Sequence, residues 1–124
     1  MKNTFIKSTL TAALLVASLA AVGNVYAHAH LKSETPAADS TSKGQKDLRL
    51  TFSEAVEAQF TKVTVTNGGK AVSVKSIATD PADQKVLIVT PEQPLTSGEY
   101  KLEWHAVSAD THKTDGSYSF KIAD

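Results

Sequence analysis

The sequence after residue 47 is divided into short segments in which apolar and polar residues alternate, and turn residues separate the segments. Alternation with a period of two predicts strands that bury one face and expose the other. Three such runs carry their apolar residues at Leu48, Leu50 and Phe52, at Tyr100, Leu102 and Trp104, and at Tyr118, Phe120 and Ile122. Because helical periodicity is weak over this region, the pattern restricts the chain to an all-β fold.

The remaining segments complete the expected architecture. Residues 63–65 alternate, Asn67-Gly68-Gly69 supplies turn residues, and Val72 and Val74 resume the alternation, which predicts a β-hairpin. Residues 86–89 form an apolar run typical of a central strand, which Pro91 and Pro94 end, and residues 29–33 are expected to form an edge strand. About seven strands are therefore expected in a Greek-key β-sandwich of Ig-like or cupredoxin-like type.

Two smaller elements are also predicted from the same region. Residues 53–59 have room for one turn of helix. Residues 95–100 resemble a tyrosine corner, in which Tyr100 enters a late strand and its hydroxyl bonds back to the preceding backbone.

The first 27 residues have the pattern of a secretory signal peptide. Lys2 and Lys7 precede the almost wholly apolar residues 10–22, and the small-residue pattern of 25–27 follows. Thirteen residues of helix rise only about 20 Å, short of the roughly 30 Å hydrocarbon core of a membrane. We therefore expect cleavage after Ala27, a signal peptide at 1–27, and an exported domain at 28–124 that is not embedded in a membrane.

The composition excludes several classes of function. Removing Lys2 and Lys7 with the signal leaves 11 basic residues against 13 acidic ones, a net charge of about −2. The charges are scattered, so no basic patch favours nucleic-acid binding. Cysteine is absent and Met1 is the single methionine, so the exported domain has neither thiolate nor thioether to bind a soft metal ion.

Four histidines supply the candidate metal ligands. Cleavage after Ala27 would convert the amide nitrogen of His28 into a free amine, so that its amine and imidazole can chelate one ion. Asp110 and His112 are two residues apart, which would place both side chains on one face of an extended segment. An amine, two imidazoles and a carboxylate suit a tetragonal Cu(II) centre.

The same residues are open to two further interpretations. A terminal histidine can be accidental, and Asp-Thr-His can be a solvated loop. Alternatively, His28-Ala29-His30 can form a local square-planar Cu(II) chelate from the amine, two deprotonated amides and the third-position imidazole. Substitution of His30 would abolish the local chelate, and substitution of His112 would abolish the site with Asp110.

These residues resemble those of the CopC copper-resistance proteins. The resemblance covers nearly the whole exported domain and is carried by His28-Ala29-His30-Leu31-Lys32-Ser33, Pro36-Ala37-Ala38-Asp39-Ser40, Leu50-Thr51-Phe52-Ser53-Glu54, Gly98-x-Tyr100, Trp104-His105-Ala106-Val107-Ser108-x-Asp110-x-His112, Gly116 and Phe120. The Trp-His pair and the short loops resemble the YobA-like branch of the family.

The resemblance implies a periplasmic β-sandwich that binds one Cu(II) per mature chain through His28, Asp110 and His112. It also implies that Glu54 lies near the terminal amine and that an inner-membrane protein of the CopD type is a partner. A methionine-rich Cu(I) loop, which some members carry, is not expected here because no methionine follows Met1. The residue between the two late ligands is often glycine in the family and is Thr111 here.

The expected role is that of a copper carrier or buffer in copper homeostasis and resistance, without catalysis. One alternative is a copper monooxygenase of the histidine-brace type, although Asp110 would fill a position that oxygen chemistry needs open. The other is an Ig-like interaction module with incidental histidines. Strand parity places Trp104 in the core and turns His105 outward, so His105 is expected to be a surface residue.

Overall fold

The structure, a computed structural model, describes residues 30–124. The predicted signal peptide, its cleavage point and His28 lie outside the described residues. Within the described range the chain forms nine strands and one short 3₁₀ helix at Ala58–Phe60. The strands are β1 (Leu31–Thr35), β2 (Thr41–Lys43), β3 (Leu48–Phe52), β4 (Lys62–Asn67), β5 (Lys70–Val72), β6 (Val74–Asp80), β7 (Asp83–Pro91), β8 (Gly98–Val107) and β9 (Lys113–Ala123).

The strands form two sheets, which confirms the predicted all-β sandwich. One sheet has the order β1-β3-β7-β6 and the other has the order β2-β9-β8-β4-β5. Every pairing is antiparallel except that of β2 with β9, which is parallel. As predicted, the first strand lies at an edge, since β1 pairs with β3 alone within its sheet.

The core lies between the sheets and is built from the alternating residues. In β8 the residues Tyr100, Leu102 and Trp104 are buried and their neighbours are exposed. Trp104 is only 5% exposed and its ring meets that of Phe52 edge-on, with centroids 5.2 Å apart. Its neighbour His105 is exposed, as the strand parity predicts. The period-two pattern therefore assigns both faces of this strand correctly.

The hairpin prediction is correct at its turn but wrong at its end. β4 and β5 pair as expected around Gly68 and Gly69, which have φ of 56° and 86°. Val74, however, belongs to the other sheet, where it pairs with Pro91 of β7. The chain changes sheets at Ser73, whose carbonyl accepts a hydrogen bond from the Glu92 amide over 2.9 Å. The segment predicted as one strand is therefore two strands, β5 and β6. An uninterrupted alternation of apolar and polar residues does not reveal that the chain changes its partner strand.

The two smaller predicted elements have different outcomes. The tyrosine corner is present, since the Tyr100 hydroxyl donates to the Thr96 carbonyl over 2.6 Å. The helical turn expected over 53–59 is confined to Ala58–Phe60, and residues 53–57 are not helical. Within residues 30–124, no helix has both the length and the apolar character needed to cross a membrane.

Candidate metal site

Asp110 and His112 lie in the loop that joins β8 to β9, residues 108–112, here called the site loop. The Thr111 amide donates to the Ser108 carbonyl over 2.9 Å, and the Ser108 amide donates to the His112 carbonyl over 2.9 Å. Thr111 adopts a left-handed conformation with φ of 72°. The expectation of an extended segment is therefore wrong, because a tight turn brings the two side chains together instead.

The Asp110 and His112 side chains are in direct contact. Nδ1 of His112 lies 3.0 Å from Oδ2 of Asp110, and the side chains are 52% and 44% exposed, respectively. Two donors that bind one ion at about 2.0 Å in adjacent positions lie about 2.8 Å apart. The spacing of these two atoms therefore matches that of neighbouring ligands on one metal ion, and both side chains are open to solvent.

The carboxyl group of Asp110 is held in its charged form. A hydrogen bond from the Ser108 hydroxyl, followed by one from His112, lowers the pKa of Asp110 from 3.8 to about 2. Since a metal ion binds the carboxylate and not the acid, this side chain needs no deprotonation near neutral pH.

A short segment connects the start of β1 to the site loop. This bridging segment, residues 53–57, bonds to His30 at one end: the Ser53 amide donates to the His30 carbonyl over 2.8 Å. Further along, the Ala109 amide donates to the Ala55 carbonyl over 2.9 Å. The first described residue and the site loop are thus attached to positions only two residues apart, although one precedes β1 of the first sheet and the other follows β8 of the second.

The remaining candidate residues have distinct positions. Glu54 is half-buried in the bridging segment, between the residue that bonds His30 and the residue that bonds Ala109. His105 lies on the outer face of β8, with Nδ1 3.8 Å from Oδ2 of Asp115 across the ladder to β9. Among residues 30–124, no group of three or more His, Cys, Asp or Glu side chains is placed to hold a metal ion. Asp110 and His112 therefore need at least one further donor to complete a site.

The His30 amide bears on the alternative chelate. This nitrogen donates a hydrogen bond to the Ser53 hydroxyl over 3.0 Å. A local chelate of residues 28–30 requires the same nitrogen to be deprotonated and bound to copper, so it would have to break this contact. The hydrogen bond therefore disfavours the local chelate relative to a site with Asp110 and His112.

Ser108 is a residue of this loop to which the sequence pattern assigns no role of its own. It is 1% exposed, and its hydroxyl donates to Oδ1 of Asp110. Ser108 continues the inward parity of Tyr100, Leu102, Trp104 and Ala106. The sequence offers one indication of such a role. Ser108 places a hydroxyl at a core-facing position beside a candidate ligand, and a buried polar group requires a hydrogen-bond partner.

Comparison with known proteins identifies the family of this sandwich and its loop. Residues 31–123 match the model of the CopC domain. The chain therefore belongs to the CopC family, as its sequence motifs predict.

Relatives agree with this assignment. The chain is 35% identical to copper resistance protein C of Pseudomonas syringae pv. tomato over 128 residues, which covers 98% of each chain. It is 39% identical to protein YobA of Escherichia coli (strain K12) over 113 residues, 89% of this chain and 90% of that protein.

A solved structure agrees as well. PcoC, a methionine-rich copper resistance protein from Escherichia coli, is 36% identical and superposes with a TM-score of 0.71. The match covers 78% of this chain and 100% of that one.

Proposed function

We propose that this protein is an exported Cu(II) carrier or buffer of the periplasm, and that its site is completed only when the signal peptide is removed. The ligands are the amine and imidazole of His28, a carboxylate oxygen of Asp110 and an imidazole nitrogen of His112. The observation that carries the proposal is the contact between Asp110 and His112. The bridging segment attaches the loop that holds them beside the start of β1. We infer that the metal is copper because these relatives are named copper resistance protein C.

The reach of the chain supports His28 as the third residue. Two residues of extended chain span at most about 7 Å. His30 is bonded to Ser53, and the site loop is bonded to Ala55, two residues further along the bridging segment. Because β1 runs antiparallel to β3, a chain that continues backward from His30 in the same direction runs toward Ala55. This short span supports His28 as the further donor in the proposed site.

The donor set determines the oxidation state that we propose. Nitrogen and carboxylate donors favour Cu(II), whereas Cu(I) prefers thiolates and thioethers. The whole sequence contains no cysteine, and its single methionine lies in the predicted signal peptide. Its relative PcoC is described as methionine-rich, so the two proteins differ in this respect. We expect one Cu(II) per mature chain and weak binding of Cu(I).

A carrier role fits the site better than catalysis. Three residues that already supply an amine, two imidazoles and a carboxylate leave little of the coordination sphere for a reacting molecule. The proposed partner that receives or supplies the ion is an inner-membrane protein of the CopD type. In this proposal Glu54 accepts a hydrogen bond from the terminal amine and thereby orients it, because its position in the bridging segment lies between the attachments of His30 and Ala109.

The proposal is tested by comparing a protein that begins at His28 with one that retains Ala27. The form that begins at His28 should bind one Cu(II), and retention of Ala27 should weaken binding strongly because the His28 nitrogen becomes an amide, which binds a metal ion only when deprotonated. Competition titration with a chromophoric chelator measures the affinities, and electron paramagnetic resonance reports the nitrogen ligands.

Two variants of the His28 form separate this site from the local chelate. His112→Ala should weaken Cu(II) binding strongly, whereas His30→Ala should change it little. Equal affinity with and without Ala27 would eliminate the amine as a ligand. Loss of binding in His30→Ala together with retention in His112→Ala would show that the local chelate forms instead.

A further inference from the structure

We infer that Ser108 is a positioning residue that determines which oxygen of Asp110 faces the metal ion. This inference depends on the proposed function, because it concerns the same site. It adds to the proposed site a residue that does not itself contact the ion.

The hydroxyl of Ser108 is directed at one oxygen of the carboxylate. It donates to Oδ1 of Asp110, and the same oxygen lies 3.4 Å from the His112 amide nitrogen, a weaker contact. The second oxygen, Oδ2, lies 3.0 Å from Nδ1 of His112. The two oxygens are therefore distinct in their surroundings: Oδ1 faces the interior of the loop, and Oδ2 faces the histidine ring.

Ser108 is also firmly fixed in the fold. It is 1% exposed and forms an antiparallel bridge with Val56, itself fully buried in the bridging segment. Its amide and carbonyl bond to His112 and Thr111, so all three of its polar groups serve the site loop. Asp110, by contrast, is half-exposed, and its other contacts are with the side chain and amide of His112, which is also half-exposed. The hydroxyl thus transfers the rigidity of the core to an exposed ligand.

The consequence is a carboxylate that binds through a single oxygen. With Oδ1 engaged by the hydroxyl, Oδ2 is presented to the ion beside the imidazole of His112. Removal of the hydroxyl would leave Oδ1 with the weaker contact to the His112 amide, so the carboxylate could turn or bind the ion through both oxygens. Loss of a hydrogen-bond partner behind a metal ligand typically weakens metal binding about 10–100-fold.

The test uses Ser108→Ala in the protein that begins at His28, because this change removes one oxygen atom and adds no bulk. Thr61→Val is the matched control. Thr61 is also buried, at 5% exposure, and its hydroxyl donates to the Glu57 carbonyl and accepts from the Val107 amide. It therefore braces the same end of β8 without contacting Asp110. Cu(II) affinity, the electron paramagnetic resonance spectrum and the midpoint of thermal unfolding are measured for all three proteins.

We expect Ser108→Ala to bind Cu(II) about 10–100-fold more weakly and to give a shifted copper spectrum. Thr61→Val should lower thermal stability while leaving affinity and spectrum unchanged. The inference is overturned if Ser108→Ala keeps the parent affinity and spectrum, or if both variants lose affinity in proportion to their loss of stability. Failure of the parent protein itself to bind Cu(II) would instead refute the proposed function, and this inference with it.

Discussion

At the scale of single residues, the conformation of Thr111 limits the stability of the site loop. A β-branched residue at φ of 72° is strained, because its side chain crowds the backbone in the left-handed region. The turn that this residue completes is nevertheless what brings Asp110 and His112 together. Glycine adopts the same conformation without that crowding.

Thr111→Gly is expected to raise the free energy of unfolding by about 0.5–1 kcal/mol, because relief of backbone strain exceeds the added entropy of the unfolded chain. Cu(II) binding should be retained, since neither ligand changes. Chemical denaturation of the metal-free protein measures the difference. Thr64→Gly is the control, because Thr64 is an exposed strand residue and its replacement by glycine should lower stability. Destabilisation by both substitutions would show that Thr111 is not strained.

At the scale of elements, the ladder between β8 and β9 supports the site loop and contains one close approach. Gly116 is paired with Trp104, and a Cβ atom at Gly116 would lie 2.6 Å from the indole ring. No side chain fits there without displacing the tryptophan. Glycine at this position therefore allows the ring to pack across the strand against the core.

Gly116→Ala is expected to lower the free energy of unfolding by about 1–3 kcal/mol, because the added methyl group overpacks the space that the ring of Trp104 fills. The emission of this single tryptophan should shift with the change in its surroundings, and denaturation followed by fluorescence measures both effects. Gly44→Ala is the control, because a Cβ there would have no neighbour within 4 Å. Parent-like stability of Gly116→Ala would mean that the ring moves aside without cost.

The sequence predicts elements well where a strand has one buried face. The alternating residues of β3, β8 and β9 are buried in the core, and the turn between β4 and β5 is where its glycines predict it to be. The parallel pairing of β2 with β9 is not visible in the sequence, because three polar residues, Thr41, Ser42 and Lys43, give no alternation. The change of sheet at Ser73 is equally hidden, since an alternating pattern indicates the face of a residue and not its partner.

The candidate site shows the same limit. Spacing in the sequence pairs Asp110 with His112, and the structure brings them into contact through a turn that spacing does not encode. The role of residues 53–57 depends on hydrogen bonds to two distant parts of the chain. Contacts of that kind arise from the tertiary fold, so local sequence does not indicate them.

At the scale of the whole molecule, copper binding in the proposed site should depend on pH through the nitrogen donors and not through Asp110. The lowered pKa of Asp110, about 2, means that its contribution to stability is complete above pH 3.8 and is lost as pH falls through 2. Imidazole and α-amino groups ordinarily bind protons with pKa values of about 6.5 and 7.7–8.0. Protons therefore compete with the metal for these donors at a higher pH than they do for Asp110.

Cu(II) affinity of the protein that begins at His28 should therefore fall steeply below about pH 6 while the fold stays intact. Titrations between about pH 4 and 8, with circular dichroism at each pH, separate loss of binding from unfolding. His105→Ala serves as the control, since this exposed histidine lies on the outer face of β8 and should not alter the profile. An affinity independent of pH over this range would exclude nitrogen ligands.

The edge position of β1 has a consequence for how fast an ion can leave. β1 is bonded to β3 alone within its sheet, and its register is irregular at its start, between Leu31 and Ser33. Detaching this end breaks a few hydrogen bonds and withdraws Leu31, a partly buried residue that packs against the core, while the fully buried core residues keep their places. A ligand carried ahead of β1 can therefore separate from the site loop by local fraying. In the proposed carrier, the lifetime of bound copper would be governed by the opening of one strand end, independently of the global stability of the sandwich.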